Sequence, residues 1–236
     1  MISINGKRFL GGSVTIVNGR IIKGGENGEH QKFDEKKVED CRNIDKIAIN
    51  STFADVNVSV SNSSKVEAHF YGEANLDGDV NFDVRVVNSE LRITLKFTGN
   101  CFNGNLKLNI TIPQKIFKVI SVKSSSADVI LNEGVSTDYL QLKTQSGDLE
   151  TYATFNTVSA STMSGDIELY IEAIKDINVN ISSMSGDITA EFSNIGYINL
   201  YTNSMSGSVR NRHKEVKDGY NADVDISTMS GDIRIR

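Results

Sequence analysis

From Ile47 to the end of the chain, apolar side chains occupy alternate positions in short runs, each of which stops at a serine or threonine, turns, and resumes its alternation. Ile47, Ile49 and Ser51 lead into Thr52-Phe53-Ala54-Asp55, and Val56, Val58 and Val60 lead out. Ile120, Val122 and Ser124 lead into Ser126-Ala127-Asp128, and Val129 and Leu131 lead out. The pattern recurs at Ser146-Gly147-Asp148, Ser164-Gly165-Asp166, Ser185-Gly186-Asp187, Ser206-Gly207-Ser208 and Ser230-Gly231-Asp232, making seven copies. A period of two places every aliphatic of a run on one face of a β-strand. Counted from Ala127 through the glycine of each later turn, the copies are spaced 20, 18, 21, 21 and 24 residues apart, which predicts one solenoid coil per copy. A single coil holds too few apolar side chains to fold alone; stacking at ~4.8 Å aligns like residues into a continuous interior.

Other segments read differently. Asn5-Gly6 and Asn18-Gly19 separate short alternating runs between residues 1 and 24, the signature of hairpin turns and a small β-meander. From Gly25 to Asn43 the chain is polar and charged and reads as a linker, so residues 1–43 form a meander plus linker and residues 44–236 the repeat domain. Between residues 61 and 113 further alternating runs (Val66-Ala68-Phe70, Phe82-Val84-Val86, Leu91-Ile93-Leu95-Phe97, Leu106-Leu108-Ile110-Ile112) predict antiparallel hairpins inserted before the regular coils at 115–236. Pro113, the only proline, ends the last of these strands because it has no N–H to give a ladder.

The turn residues carry a structural expectation. Ala54, Ala127, Gly147, Gly165, Gly186, Gly207 and Gly231 mark tight corners, where glycine is expected to supply positive φ. The residues before the turns, Ser51, Ser124, Thr144, Thr162, Ser183, Ser204 and Thr228, face inward by strand parity. No histidine or lysine partners them at a fixed offset, so they read as structural hydroxyls and not as nucleophiles. Asp55, Asp128, Asp148, Asp166, Asp187 and Asp232 follow, with Ser208 in the sixth copy. Carboxylates stacked at coil spacing repel by roughly 1 kcal/mol per pair in water; each is expected to offset this by accepting N–H bonds within its own turn.

Composition narrows the function classes. A net charge of −5 makes no electrostatic case for nucleic acid, and no apolar run approaches the ~20 residues of a membrane span. No signal peptide is visible at the N-terminus, which gives a cytoplasmic expectation. Cys41 and Cys101 read as free thiols, and no Cys/His spacing suggests zinc. His30, His69 and His213 form no spacing motif. No phosphate-binding glycine loop, catalytic residue, metal site or cofactor site is expected. The one basic cluster, Arg210 to Ala222, reads as a solvated loop or an anionic partner site.

The tandem Ser-Gly-Asp-Ile/Val turns, with Ile110-Thr111-Ile112-Pro113 and Ala54-Asp55-Val56 before them, resemble the bacterial putative-adhesin family of β-solenoid domains of unknown function across residues 44–236. The resemblance implies an all-β, right-handed β-solenoid or β-roll-like fold and a surface, adhesive role, with no catalytic residues in the pattern. The leading expectation is thus a noncatalytic adhesin-like binding or structural scaffold protein, with ligand and partner open. A second is a self-assembling cytoplasmic β-helical scaffold that forms a homo-oligomer through an open solenoid edge, because Ile233-Arg234-Ile235-Arg236 runs to the end of the chain and would leave the last coil uncapped. A third is a carbohydrate-active β-helix enzyme, for which the aspartate ladder is the only candidate acid cluster.

Overall fold

The computed structural model describes residues 2–4, 7–9, 13–17, 20–24 and 29–236. Among the described residues there is no helix. Near the N-terminus, β1 (Ile2–Ile4) pairs antiparallel with β2 (Lys7–Phe9), and β3 (Ser13–Val17) with β4 (Arg20–Gly24). The expected Asn-Gly turns at residues 5–6 and 18–19 lie outside the described residues. The remaining 17 strands form one sheet.

The charged segment expected to be a linker is a strand, β5 (Glu29–Asp40). The first coil follows, with β6 (Lys46–Ser51) before its corner and β7 (Asp55–Ser61) after it. Next come β8 (Lys65–Val87) and β9 (Glu90–Pro113), two long strands in place of several short ones. They turn at Asn88 and Ser89, whose φ values of 49° and 61° suit a two-residue hairpin. β5 pairs antiparallel with the first half of β8. Phe33 packs on Phe70 at 4.9 Å between ring centroids, and Lys36 meets Glu67 at 2.9 Å across the strands. Charged residues on an edge strand hide the strand pattern from a sequence reading, because the edge faces water and only Phe33 among the described side chains of β5 is an aromatic anchor.

The six later coils are β10 (Ile116–Ser124) with β11 (Val129–Leu131), β12 (Ser136–Lys143) with β13 (Leu149–Thr151), β14 (Thr154–Ser164) with β15 (Ile167–Glu172), β16 (Ile177–Ser185) with β17 (Ile188–Ser193), β18 (Ile195–Ser206) with β19 (Val209–Asn211), and β20 (Tyr220–Ser230) with β21 (Ile233–Ile235). All stack parallel and in register, apart from an irregularity between Ile195 and Tyr197 where β18 meets β20. One ladder runs β9–β6–β10–β12–β14–β16–β20–β18 and the other β9–β7–β11–β13–β15–β17–β21–β19. β9 belongs to both ladders, so the long hairpin caps the first coil.

The order of the last two coils overturns one expectation. The C-terminal coil is not the open end: β20 and β21 lie between the fifth coil and the sixth, and the sixth coil ends the stack. At Asn194, φ 62°, the chain passes over one ladder position. The basic segment after β19 then returns and lays β20 in the gap. Val216 donates its N–H to the Ile195 carbonyl and Tyr220 to that of Asn194, both at 2.9 Å. The two connections cross where Gly196 meets Gly219; a Cβ on Gly219 would overlap the Gly196 nitrogen. The segment around 210–222 is therefore the return of a topological crossing.

The core follows the columns. Ile47, Ile120, Leu140, Val158, Val179 and Val224 are buried one above another, and each fully buried aliphatic contributes about 1.5–3 kcal/mol. The column reaches Leu200 in the sixth coil, which is only partly buried because nothing covers it.

Candidate functional site

At the corner, each carboxylate reaches the next coil. Asp128 donates its N–H to Asp55 Oδ1 at 3.3 Å, Asp148 to Asp128 at 2.9 Å, and Asp166 to Asp148, Asp187 to Asp166 and Asp232 to Asp187 at 2.8 Å each. Ser208 ends the series, giving both N–H (2.9 Å) and hydroxyl (3.0 Å) to Asp232 Oδ1. The expected bond within one turn is thus a bond between coils, because in-register stacking brings the next N–H closer than any in the same tight corner. Ser208 also becomes intelligible: the terminal coil has no further N–H to receive. The carboxylate repulsion is offset by these charge-assisted bonds and, at the ends, by cations. Arg234 binds Asp187 Oδ2 at 2.8 Å and Asp232 Oδ2 at 3.0 Å. Lys107 lies 3.8 Å from Asp55. The N–H bonds and Arg234 hold the Asp187 carboxyl below the usual range, and the Ser208 bonds do the same for Asp232. Burial pushes Asp55 up.

The corner glycines also have a different cause from the expected one. Gly147, Gly165, Gly186 and Gly207 do not adopt positive φ, whereas Gly231 has φ 157°. A Cβ on any of them, or on Gly231, would overlap the carbonyl oxygen of the corner residue one coil down. Glycine is required by coil-to-coil approach. Ala54 and Ala127 fill the first two corners with their methyls buried.

The hydroxyl column is internal as expected. Ser51 donates to the Ala54 carbonyl, Ser204 to that of Gly231 and Thr228 to that of Gly186. Ser124, Thr144, Thr162 and Ser183 have no hydrogen-bond partner within the protein. None of the seven meets a base. The histidines are dispersed: His30 lies 3.6 Å from Glu73, His69 2.7 Å from Asp34, and His213 packs edge-on against Phe192. Cys41 is a buried free thiol whose pKa burial pushes up; the Cys101 side chain lies outside the described residues.

What the sequence reading missed is the outer face. On β14, β16, β20 and β18 the outward positions form two in-register columns: Thr157, Asn178, Asp223, Asn199, and Ser159, Asn180, Asp225, Tyr201. All of these but Ser159 border a shallow depression of about 390 Å³. Asn199 donates to Asp223 at 3.0 Å. The signal was present as outward parity, but the columns join only once Asp223 and Asp225 are seated between Asn178 and Asn199. On the second ladder, Tyr152 and Tyr170 stack at 4.5 Å with ring planes 3° apart. Their hydroxyls donate to Glu150 and Glu168, which raises both tyrosine pKa values. Among the described residues no cluster of three or more His, Cys, Asp or Glu is placed to hold a metal ion, and no helix is long and apolar enough to cross a membrane.

A parallel coil stack with a hydrogen-bonded aspartate corner and a polar outer face defines an all-β solenoid protein. The chain belongs to the Toastrack DUF4097 family, whose pattern matches twice, at residues 44–154 and 133–236. No curated protein matches it. Among solved structures it is similar to a putative cell adhesion protein from Clostridium sporogenes, with 16% identity over 87% of this chain and 99% of that one and a TM-score of 0.56. It also aligns with a putative adhesin from Bacteroides fragilis (15% identity, 87% and 98% covered, TM-score 0.40). A third match is a putative lipid binding protein from Parabacteroides distasonis (15%, 86% and 96%, TM-score 0.38).

Proposed function

We propose that this protein is a noncatalytic, adhesin-like binding module whose outer face on β14, β16, β20 and β18 takes a polyhydroxylated ligand of the glycan class. The observation that carries this reading is the pair of polar columns. Amides, carboxylates and hydroxyls repeat along the stack at ~4.8 Å, offering both donors and acceptors to sugar hydroxyls, and Tyr201 adds an aromatic flank. A depression of about 390 Å³ has the size of a small-ligand site. The cell-adhesion name of the Clostridium sporogenes protein accords with this reading. The noncatalytic part is supported by the hydroxyl column, which meets no base, and by the aspartate ladder, whose Oδ1 atoms already accept backbone N–H bonds.

A glycan array followed by titration calorimetry tests the proposal. Asn180→Ala and Asp225→Ala should each weaken binding to the selected glycan about tenfold or more, since each removes a buried-on-binding hydrogen bond worth ~1.5 kcal/mol. An array without signal on folded protein would overturn it.

A further inference from the structure

The terminal strand β18 is built unlike the edge at the opposite end of the stack. Thr144 donates to the Ser161 carbonyl at 3.0 Å, so the outward residue at this register position aims its backbone groups at the preceding strand of the stack. Asn203 holds that position in β18, and the odd-numbered residues from Tyr197 to Asn203 aim theirs at β20. Ile198, Leu200, Thr202 and Ser204 aim theirs away from it, and among the described residues no strand pairs with that edge. The free edge begins just past Ile195, whose carbonyl is taken by Val216. None of the 12 residues of β18 is charged and none is proline, so the usual guards of an exposed edge are missing. At the opposite end of the stack, eight of the 12 residues of β5 are charged, and the unpaired half of β8 carries Asp77, Asp79, Asp83 and Arg85. One end of the solenoid is protected against strand addition and the other is not.

We infer that β18 pairs antiparallel with β18 of a second copy of this chain across a two-fold axis at Tyr201, forming a closed dimer. The guarded, hairpin-capped end rules out head-to-tail growth, leaving the same edge of a second molecule as partner. Around Tyr201 the strand is self-complementary. The free backbone groups of Ile198, Leu200, Thr202 and Ser204 oppose those of the second copy and can form about eight hydrogen bonds. Each side chain keeps its face: Tyr197 meets Met205 of the second copy in a sulfur–aromatic contact, and Asn199 meets Asn203. On the inner face Ile198 meets Ser204 and Leu200 meets Thr202, covering the aliphatics that the sixth coil leaves partly exposed. No like charges are brought together. The dyad also joins the two outer polar faces, because Asn199 and Tyr201 border the depression; the dimer presents two such faces side by side.

Light scattering on the eluted peak tests this independently of any ligand. The wild-type chain should elute at twice its monomer mass. Asn199→Lys with Asn203→Lys places like charges opposite one another and should give folded monomers, as should Asn199→Glu with Asn203→Glu. Mixing the two variants should restore a dimer. Tyr201→Cys should yield a disulfide-linked homodimer under mild oxidation, reversed by reductant, because the two copies of residue 201 form a non-hydrogen-bonded antiparallel pair ~4.5 Å apart at Cα, within disulfide reach. A wild-type monomer at all concentrations, long assemblies, or a dimer that persists in the Lys/Lys variant would overturn the inference. Loss of glycan binding by Asn180→Ala leaves it untouched, since Asn180 lies on β16.

Discussion

At the scale of residues, one corner contains three kinds of side chain that do opposite things for stability. Asp166 accepts the Asp187 N–H, so Asp166→Ala should cost about 1–2 kcal/mol in chemical denaturation, while Asp166→Asn, which keeps an acceptor oxygen, should cost less than half of that. Gly165→Ala should cost more, about 3 kcal/mol, because the new Cβ overlaps the Gly147 carbonyl and the backbone must move. Thr162→Val runs the other way: its buried hydroxyl has no partner, and replacing it with a methyl of nearly the same shape should raise stability by about 1 kcal/mol. The ladder also has a pH dependence. The carboxyls of Asp187 and Asp232 have folded pKa values below the ordinary 3.8. Their stabilisation is full above that value and is lost as pH falls through the lowered folded values. Asp55, raised by burial, acts oppositely: it favours the fold below its ordinary value, and that contribution is lost as pH rises through its raised one. Acid unfolding should therefore begin at the Arg234 end of the ladder, and Arg234→Met should move the midpoint to higher pH in a circular-dichroism titration.

At the scale of elements, the crossing between the sixth and seventh coils depends on Gly196 and Gly219. Of the four non-glycine residues with positive φ among the described residues, Asn194 and Asp218 both flank this crossing, where the chain takes its sharpest departures from coil geometry. Gly219→Ala inserts a Cβ against the Gly196 nitrogen and Ile195 carbon. It should loosen β18 and β20 while leaving β10 to β15 intact, seen as faster hydrogen exchange confined to residues 195–230. Uniform exchange across the stack would show that the crossing is not a local constraint. β5 makes a complementary point about legibility. Its aromatic anchor, Phe33, and its paired charges mean something only opposite Phe70, Glu67 and Glu73 on β8, residues more than thirty positions away that no local pattern points to.

At the scale of the molecule, the stack is quasi-one-dimensional, so stability accumulates coil by coil and each coil leans on its neighbours. Interior coils, covered on both sides, should exchange slowest. β18, with one side open, should exchange fastest among the coil strands and slow down as protein concentration rises, since dimer formation covers that side. The two family matches, at 44–154 and 133–236, fit such a molecule: the same ladder chemistry recurs wherever a window of several coils is taken.

The repeat, the strand faces, the buried columns and the inward hydroxyls were all determined by the sequence itself. Each depends on alternation and turn chemistry within a few residues, and the resemblance at residues 44–236 rested on those same local signals. Only the tertiary structure decided how coils meet. In-register stacking turned each aspartate from its own corner to the next coil's N–H, and it replaced a φ requirement with a close-approach requirement at the corner glycines. The crossing at Gly196 and Gly219 exchanged the last two coils, which moved the open end from Arg236 to β18 and assembled the polar columns through Asp223 and Asp225. Local periodicity sets what a coil is; the order in which coils stack depends on contacts between segments far apart in the chain, and those exist only once the backbone has been laid down.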